Sequence, residues 1–232
     1  MEINSKLNMR IVKKIQSHGA NSSLYIVEDT QLNEIFMLKQ IDKNKIKESS
    51  KYFDEVRNVK DIENKNIVKV NYATYDDDNI YISMPYYKNG SLQDILQERN
   101  LTVREIVKYS LEILSGLYYI HKKNILHCDI KPSNILIDDY GCAVLADFGS
   151  AININHSGVG KLKNVYYKHI APEQCYSSRV DVRVDIYQFG NTLYRMCNGE
   201  EEYNKQVKKS KNMTELKNAI VNGSFPSRKK YY

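Results

Sequence analysis

No two of the four cysteines, Cys128, Cys142, Cys175 and Cys197, stand in a C-x-x-C arrangement. That spacing excludes a common zinc cage and a dense disulfide framework, and it fits reduced thiols. No apolar run approaches the ~20 residues of a membrane span, and the opening stretch MEINSKLNMRIVKK has no apolar core ahead of a cleavage site. A cytoplasmic protein, or one inside a host cell, with no membrane partner is expected. Internal repeats and low-complexity segments are also missing. What is present is 232 residues, 42% of them hydrophobic, enough for one large domain or two lobes. Against 28 acidic residues stand 34 Lys and Arg, a formal net charge of +6. That balance favours anionic partners such as phosphates but falls short of a nucleic-acid arm, so no nucleic-acid partner is expected.

Three short β-prone runs, RIVKKIQ, SSLYIVED and EIFMLKQI, are separated by polar turns and predict a meander. In SSKYFDEVRNVKDIE, Phe53, Val56, Val59 and Ile62 recur at helical spacing, and two further strands flank the acidic turn at Asp76–Asn79. SLQDIL opens with a Ser-x-x-Asp start resembling a capping box. TVREIVKYSLEILSGLYYIHKK, with Ile106, Tyr109, Ile113, Leu117 and Ile120 on one stripe, predicts a buried central helix. Two short strands around DDYG, an irregular segment over 149–170 and helices near 185–197 and 213–221 complete the pattern. The fold class is α+β, with a β-rich first lobe over 1–87 and a mainly helical second lobe over 88–232. Pro85, Asn89 and Gly90 interrupt the pattern at the boundary, where a ligand cleft is expected.

The stretch ILHCDIKPSNILI places Asp129, Lys131 and Asn134 on one connection between two apolar runs. Transfer of a phosphoryl group to a hydroxyl needs a carboxylate to orient that hydroxyl and accept its proton, and cations to neutralise the transferred group. Asp129 suits the first role, Lys131 can reach the phosphate, and Asn134 can offer an oxygen to a metal ion. Any one of these residues alone is better explained as part of a polar turn; the whole string is not.

HCDIKPSN resembles the H-R-D-x-K-P-x-N catalytic loop of eukaryotic-type Ser/Thr protein kinases, and the resemblance runs through nearly the entire chain. ADFGS resembles the D-F-G motif, which implies that Asp147, with Asn134, holds magnesium against the phosphates of ATP. FMLKQI resembles the strand whose Lys grips those phosphates, here Lys39, and the following helix then nominates Glu55 as its ionic partner. On the phosphate-covering loop the match keeps Gly19, with Ser17 and Ser22 at the outer glycine positions and Leu24 for Val, which predicts a stiffer lid. IYISMPYYKNG resembles the hinge strand, with Met84, Pro85 and Tyr87 beside the adenine. APEQ and DIYQFG make Glu173 and Asp185 structural, Asp185 by accepting amides of the loop that carries Asp129.

The resemblance is broken in places. Cys128 replaces an Arg that clamps a phosphate on the activation segment, Tyr166 replaces a Thr, and the last two helices of the family, with an Arg that pairs Glu173, are absent. Activity without segment phosphorylation is expected. The shorter second lobe is either naturally minimal, or has lost a segment, or is covered by a partner. Lys161, Lys163, Lys168 and His169 fit an acidic or phosphate-bearing protein substrate, and equally a solvated basic loop. The leading expectation is an ATP- and Mg2+-dependent Ser/Thr protein kinase. A pseudokinase that binds nucleotide or a partner, and a small-molecule phosphotransferase, are the alternatives.

Overall fold

The computed structural model describes residues 8–15, 22–46, 53–162, 170–210 and 212–226. The chain divides into two compact units, one of residues 1–63 with 68–88 and one of 64–67 with 89–232.

The first unit is a five-stranded antiparallel sheet, β1 (Met9–Ile15), β2 (Ser22–Asp29), β3 (Glu34–Asp42), β4 (Tyr72–Tyr75) and β5 (Asn79–Pro85), in the order β1-β2-β3-β5-β4, with the helix α1 (Asp54–Val59). Short polar turns close its hairpins. The Asp29 carboxylate accepts from the amides of Gln31 and Leu32, and Asn33 takes the left-handed conformation at φ 54°. Asp76 accepts from the amides of Asp78 and Asn79 in the same way. Central position buries Val27, Ile80 and Ile82 almost completely.

Helix α1 is shorter than the predicted span. Of the predicted residues, 49–52 lie outside the described part, and the helix ends before Ile62, whose amide closes a turn onto the Val59 carbonyl. The chain leaves the helix there because Asn64–Ile67 belong to the second unit. Buried Asn66 donates to the Ala143 carbonyl at 2.9 Å and accepts from the Leu145 amide at 2.9 Å.

The second unit contains α2 (Leu92–Glu98), α3 (Val103–Lys122), β6 (Ile125–Leu126), β7 (Ile135–Ile137), β8 (Ala143–Leu145), β9 (Ile152–Asn153), β10 (Gly160–Lys161), β11 (Arg179–Val180), α4 (Arg183–Asn198), α5 (Glu200–Lys209) and α6 (Met213–Val221). The expected capping box forms at Ser91 and Asp94, and a second forms at Thr102 and Glu105. Helix α3 buries Tyr109, Ile113, Leu117 and Ile120 as the stripe predicts, while Ile106 is half-buried. Gly116 is required there: a Cβ would come within 2.8 Å of Leu145 Cδ1 and 2.9 Å of the Asn66 carbonyl.

Burial on α3 is confined to that stripe. Val103, Val107, Leu111, Leu114 and Tyr118 form an exposed stripe on its other face, with Leu111 64% accessible. The 3.6-residue period turns these positions away from the side that packs against β8 and α4. Helix α5 is unforeseen, although Glu200–Glu202 in its first turn and Lys208 and Lys209 in its last match the helix dipole.

Glu105 shows how a cap couples to pH. Its carboxylate accepts from both terminal nitrogens of Arg99 (3.1 and 2.6 Å) and from the amide and hydroxyl of Thr102 (2.8 Å each). The Arg99 guanidinium first, then the Thr102 donors, pull its pKa from 4.5 down to about 2. A depressed carboxylate stabilises the fold above its unfolded pKa, and that stabilisation is lost as pH falls from about 4.5 through about 2. The pair is solvent-screened, so its contribution stays below about 1 kcal/mol. Thermal melts across this window are expected to fall less steeply for Glu105→Gln than for the wild type; equal slopes would dismiss the coupling.

Candidate active site

The hairpin of β7 and β8 brings the chemistry-bearing residues of the second unit together. Its register, Ile135 with Leu145 and Ile137 with Ala143, sets Asn134 and Ala146 side by side at one end. The Ala146 amide donates to the Asn134 carbonyl at 2.9 Å. Asp147 follows at once, exposed, in the left-handed conformation at φ 62°, while Phe148 turns inward and is buried.

On the neighbouring connection Asp129 is only 5% accessible. Its Oδ2 accepts from Lys131 Nζ at 2.7 Å and from Asn134 Nδ2 at 2.9 Å. Asn134 Nδ2 also donates to the Asp129 carbonyl at 2.9 Å. Among the described residues Asp129 Oδ1 has no hydrogen-bond partner, and it is not a buried orphan. One carboxylate oxygen is thus locked by an ammonium and an amide, and the other is left as an acceptor. Pro132 starts the 3-10 turn that brings Asn134 back over Asp129, its fixed φ and missing N–H suiting a first-turn position.

The backbone beneath is clamped by α4. Asp185, completely buried, accepts from the amides of His127 (2.9 Å) and Cys128 (2.7 Å) and pairs with His121 Nε2 at 2.8 Å. One turn on, Gln188 Oε1 accepts from the Ile130 amide at 2.9 Å, and its nitrogen donates to the Cys128 carbonyl at 3.0 Å. His127 packs on the Phe148 ring, with centroids 4.6 Å apart, and reaches the Ala146 carbonyl through Nε2 at 3.0 Å. Its Nδ1 accepts from the Asp129 amide at 3.3 Å, so Nε2 carries the proton. The residues that hold Asp129 in place thus include His121, His127 and Gln188, which the sequence did not single out. Gln188 had one readable signal, its i+3 spacing from Asp185 on a helix.

Cys128 stands at φ 65°, a conformation that costs a non-glycine residue energy and that these hydrogen bonds enforce. It is buried with Leu126, Leu162, Ala171, Val180 and Val184, and this burial, then Asp185 and Asp129, pushes its thiol pKa far above the ordinary value. An apolar cluster therefore occupies the place where the family resemblance would put an Arg–phosphate clamp. Glu173 Oε1 is buried without a hydrogen-bond partner among the described residues.

In the first unit Lys39 and Glu55 meet: Lys39 Nζ lies 2.8 Å from both carboxylate oxygens, and both side chains are largely buried. Leu24 is the cross-strand neighbour of Lys39, and Ser22 opens β2 opposite Ile41. Met84 and Pro85 end β5 opposite Met37 and Phe36, and Tyr87 follows in the connection. Ser17, Gly19, Lys163, Tyr166, Lys168 and His169 lie outside the described residues.

The donor set at Asn134 and Asp147 suits magnesium. With its Nδ2 engaged by Asp129, Asn134 presents Oδ1, and Asp147 adds a carboxylate, an all-oxygen pair that leaves the remaining positions to phosphate and water. Among the described residues no cluster of three His, Cys, Asp or Glu could hold a metal without such help.

A family model for the protein kinase domain matches residues 11–230. The chain is 30% identical over 199 residues to the serine/threonine-protein kinase CLA4 of Candida albicans, covering 84% of this chain and 20% of that protein. It is 31% identical over 211 residues to a probable serine/threonine-protein kinase of Clostridium acetobutylicum, covering 88% and 32%. A third relative, 3-phosphoinositide-dependent protein kinase B of Dictyostelium discoideum, is 33% identical over 191 residues, covering 78% and 21%. The chain spans between a fifth and a third of the length of these relatives.

Proposed function

Because the chain belongs to the protein kinase domain family, we propose that it transfers the γ-phosphoryl group of Mg-ATP to Ser or Thr hydroxyls of protein substrates. The observation that carries this reading is the split carboxylate of Asp129, one oxygen locked and the other open. The substrate hydroxyl hydrogen-bonds to Oδ1 and gives up its proton there as its oxygen bonds to the γ-phosphorus and the bond to ADP breaks. Lys131 already sits on Asp129 and places positive charge where the transferred group acquires negative charge. Magnesium, held by Asp147 and Asn134, would neutralise the phosphate oxygens. In the first unit Lys39 grips the nucleotide phosphates, held in place by its ion pair with Glu55. Leu24, Met84, Pro85 and Tyr87 line the adenine, with Ser22, at the start of β2, on the phosphate side.

The test is incubation of purified protein with γ-labelled ATP, magnesium and a general Ser/Thr protein acceptor, beside Asp147→Ala. Label in the acceptor for the wild type and at least ~100-fold less for Asp147→Ala is the expected result, the size that removal of one charge-stabilising group produces. Nucleotide binding with no transfer would overturn the reading in favour of a pseudokinase, and transfer to small alcohols alone would overturn it in favour of a small-molecule phosphotransferase.

A further inference from the structure

We propose that Lys161 and Arg179 form an anion grip that selects substrates carrying a carboxylate or phosphate near the acceptor hydroxyl; this rests on the kinase reading above. Strands β10 and β11 pair antiparallel, with Gly160 opposite Val180 and Lys161 directly opposite Arg179. Because strand side chains alternate, Val180 and Leu162 point inward, buried in the cluster that contains Cys128, and Lys161 and Arg179 point outward and are exposed. Directly opposed side chains have Cβ atoms about 5 Å apart, and like charges there repel.

Nothing among the described residues relieves that repulsion: neither the Lys161 ammonium nor the Arg179 guanidinium has an ion-pair or hydrogen-bond partner. The nearby acid, Asp181, is already engaged by Arg183, with Nε to Oδ1 at 2.9 Å and Nη2 to Oδ2 at 2.7 Å. Two uncompensated cations at this spacing match one multidentate oxyanion, the planar guanidinium offering a fork and the ammonium a point charge.

The pair is held in register from both sides. The Leu162 amide donates to the Ser178 carbonyl at 2.8 Å, adding a rung beyond the strands. A Cβ on Gly160 would come within 2.6 Å of Ile152 Cδ1, so the strand is seated closely on that side chain. Ser177 Oγ accepts from the Arg179 amide at 2.9 Å. The inner face of this small sheet packs with Cys128, the residue before Asp129. Packed layers stand roughly 10 Å apart, about three residues of extended peptide, so the gripped anion is expected a few positions from the acceptor.

The experiment compares Ser-acceptor peptides identical except for Ala, Lys, Glu or phosphoserine two to five residues from the Ser on either side. At one or more placements Glu and phosphoserine are expected to raise kcat/KM about tenfold over Ala, mainly through KM and less so at high salt. A larger gain for phosphoserine assigns the grip to phosphate; equal gains assign it to any oxyanion. Lys161→Glu creates a cross-strand ion pair with Arg179, so it is expected to keep the fold and the kcat for the Ala peptide while losing the preference. Equal kcat/KM for all four peptides, or a preference that survives Lys161→Glu, overturns the proposal. If no peptide is phosphorylated at all, the kinase reading fails instead. The grip is then tested by fluorescence anisotropy of a labelled phosphoserine peptide, where Lys161→Glu is expected to weaken binding about tenfold and equal binding overturns it.

Discussion

Asp129→Asn is expected to lower kcat for phosphoryl transfer by about 10²- to 10⁴-fold, the range for loss of a positioned general base. The substitution keeps the shape of the side chain and one oxygen to receive Lys131 and Asn134, so the loop around it, clamped from beneath by Asp185 and Gln188, stays in place. Peptide KM is therefore expected to change little, because the lost interaction develops only as the hydroxyl gives up its proton. Steady-state kinetics with saturating nucleotide, beside circular dichroism to confirm the fold, reads both quantities. A kcat within about threefold of the wild type would remove Asp129 from the chemistry.

The second large effect is on stability. Asp185→Ala deletes the acceptor of two buried amides, His127 and Cys128, and the partner of His121. An orphaned buried donor costs about 1–3 kcal/mol, and loss of a buried charged partner in such a network costs about 3–5 kcal/mol in all. For a chain of this size that corresponds to a fall in Tm of about 10–15 °C. The loop would suffer first, because Cys128 at φ 65° is kept there by the bonds that the substitution removes. Asp185→Asn retains an oxygen acceptor and is expected to lose roughly half as much. Calorimetry of the three proteins decides: if Asp185→Ala melted within about 2 °C of the wild type, the clamp would not be structural.

Local signals were legible wherever neighbours along the chain decide the structure. The β-prone runs SSLYIVED and EIFMLKQI, the Ser91–Asp94 box and the buried stripe of α3 depend on residue types and spacings within a few positions, and each forms the element its pattern predicts. The α1 pattern failed for the opposite reason. Its continuation through Ile62 is locally sound, but Asn66 and Ile67 are taken by partners at Ala143 and Leu145, far along the chain. Arg179 could not be singled out from its own surroundings either, since its meaning depends on Lys161 lying across a two-residue ladder.

By itself the sequence determined the α+β class, the order of most elements and the motifs of a protein kinase domain, because periodicity and motif spacing are written along the chain. Only the tertiary structure decided that Asp129 keeps one oxygen open, that Lys39 meets Glu55, that Cys128 belongs to an apolar cluster and that Lys161 faces Arg179. Each of these depends on side chains distant in sequence or turned by backbone geometry, and hydrogen bonds and packing act over a few ångströms of space, whatever the separation along the chain.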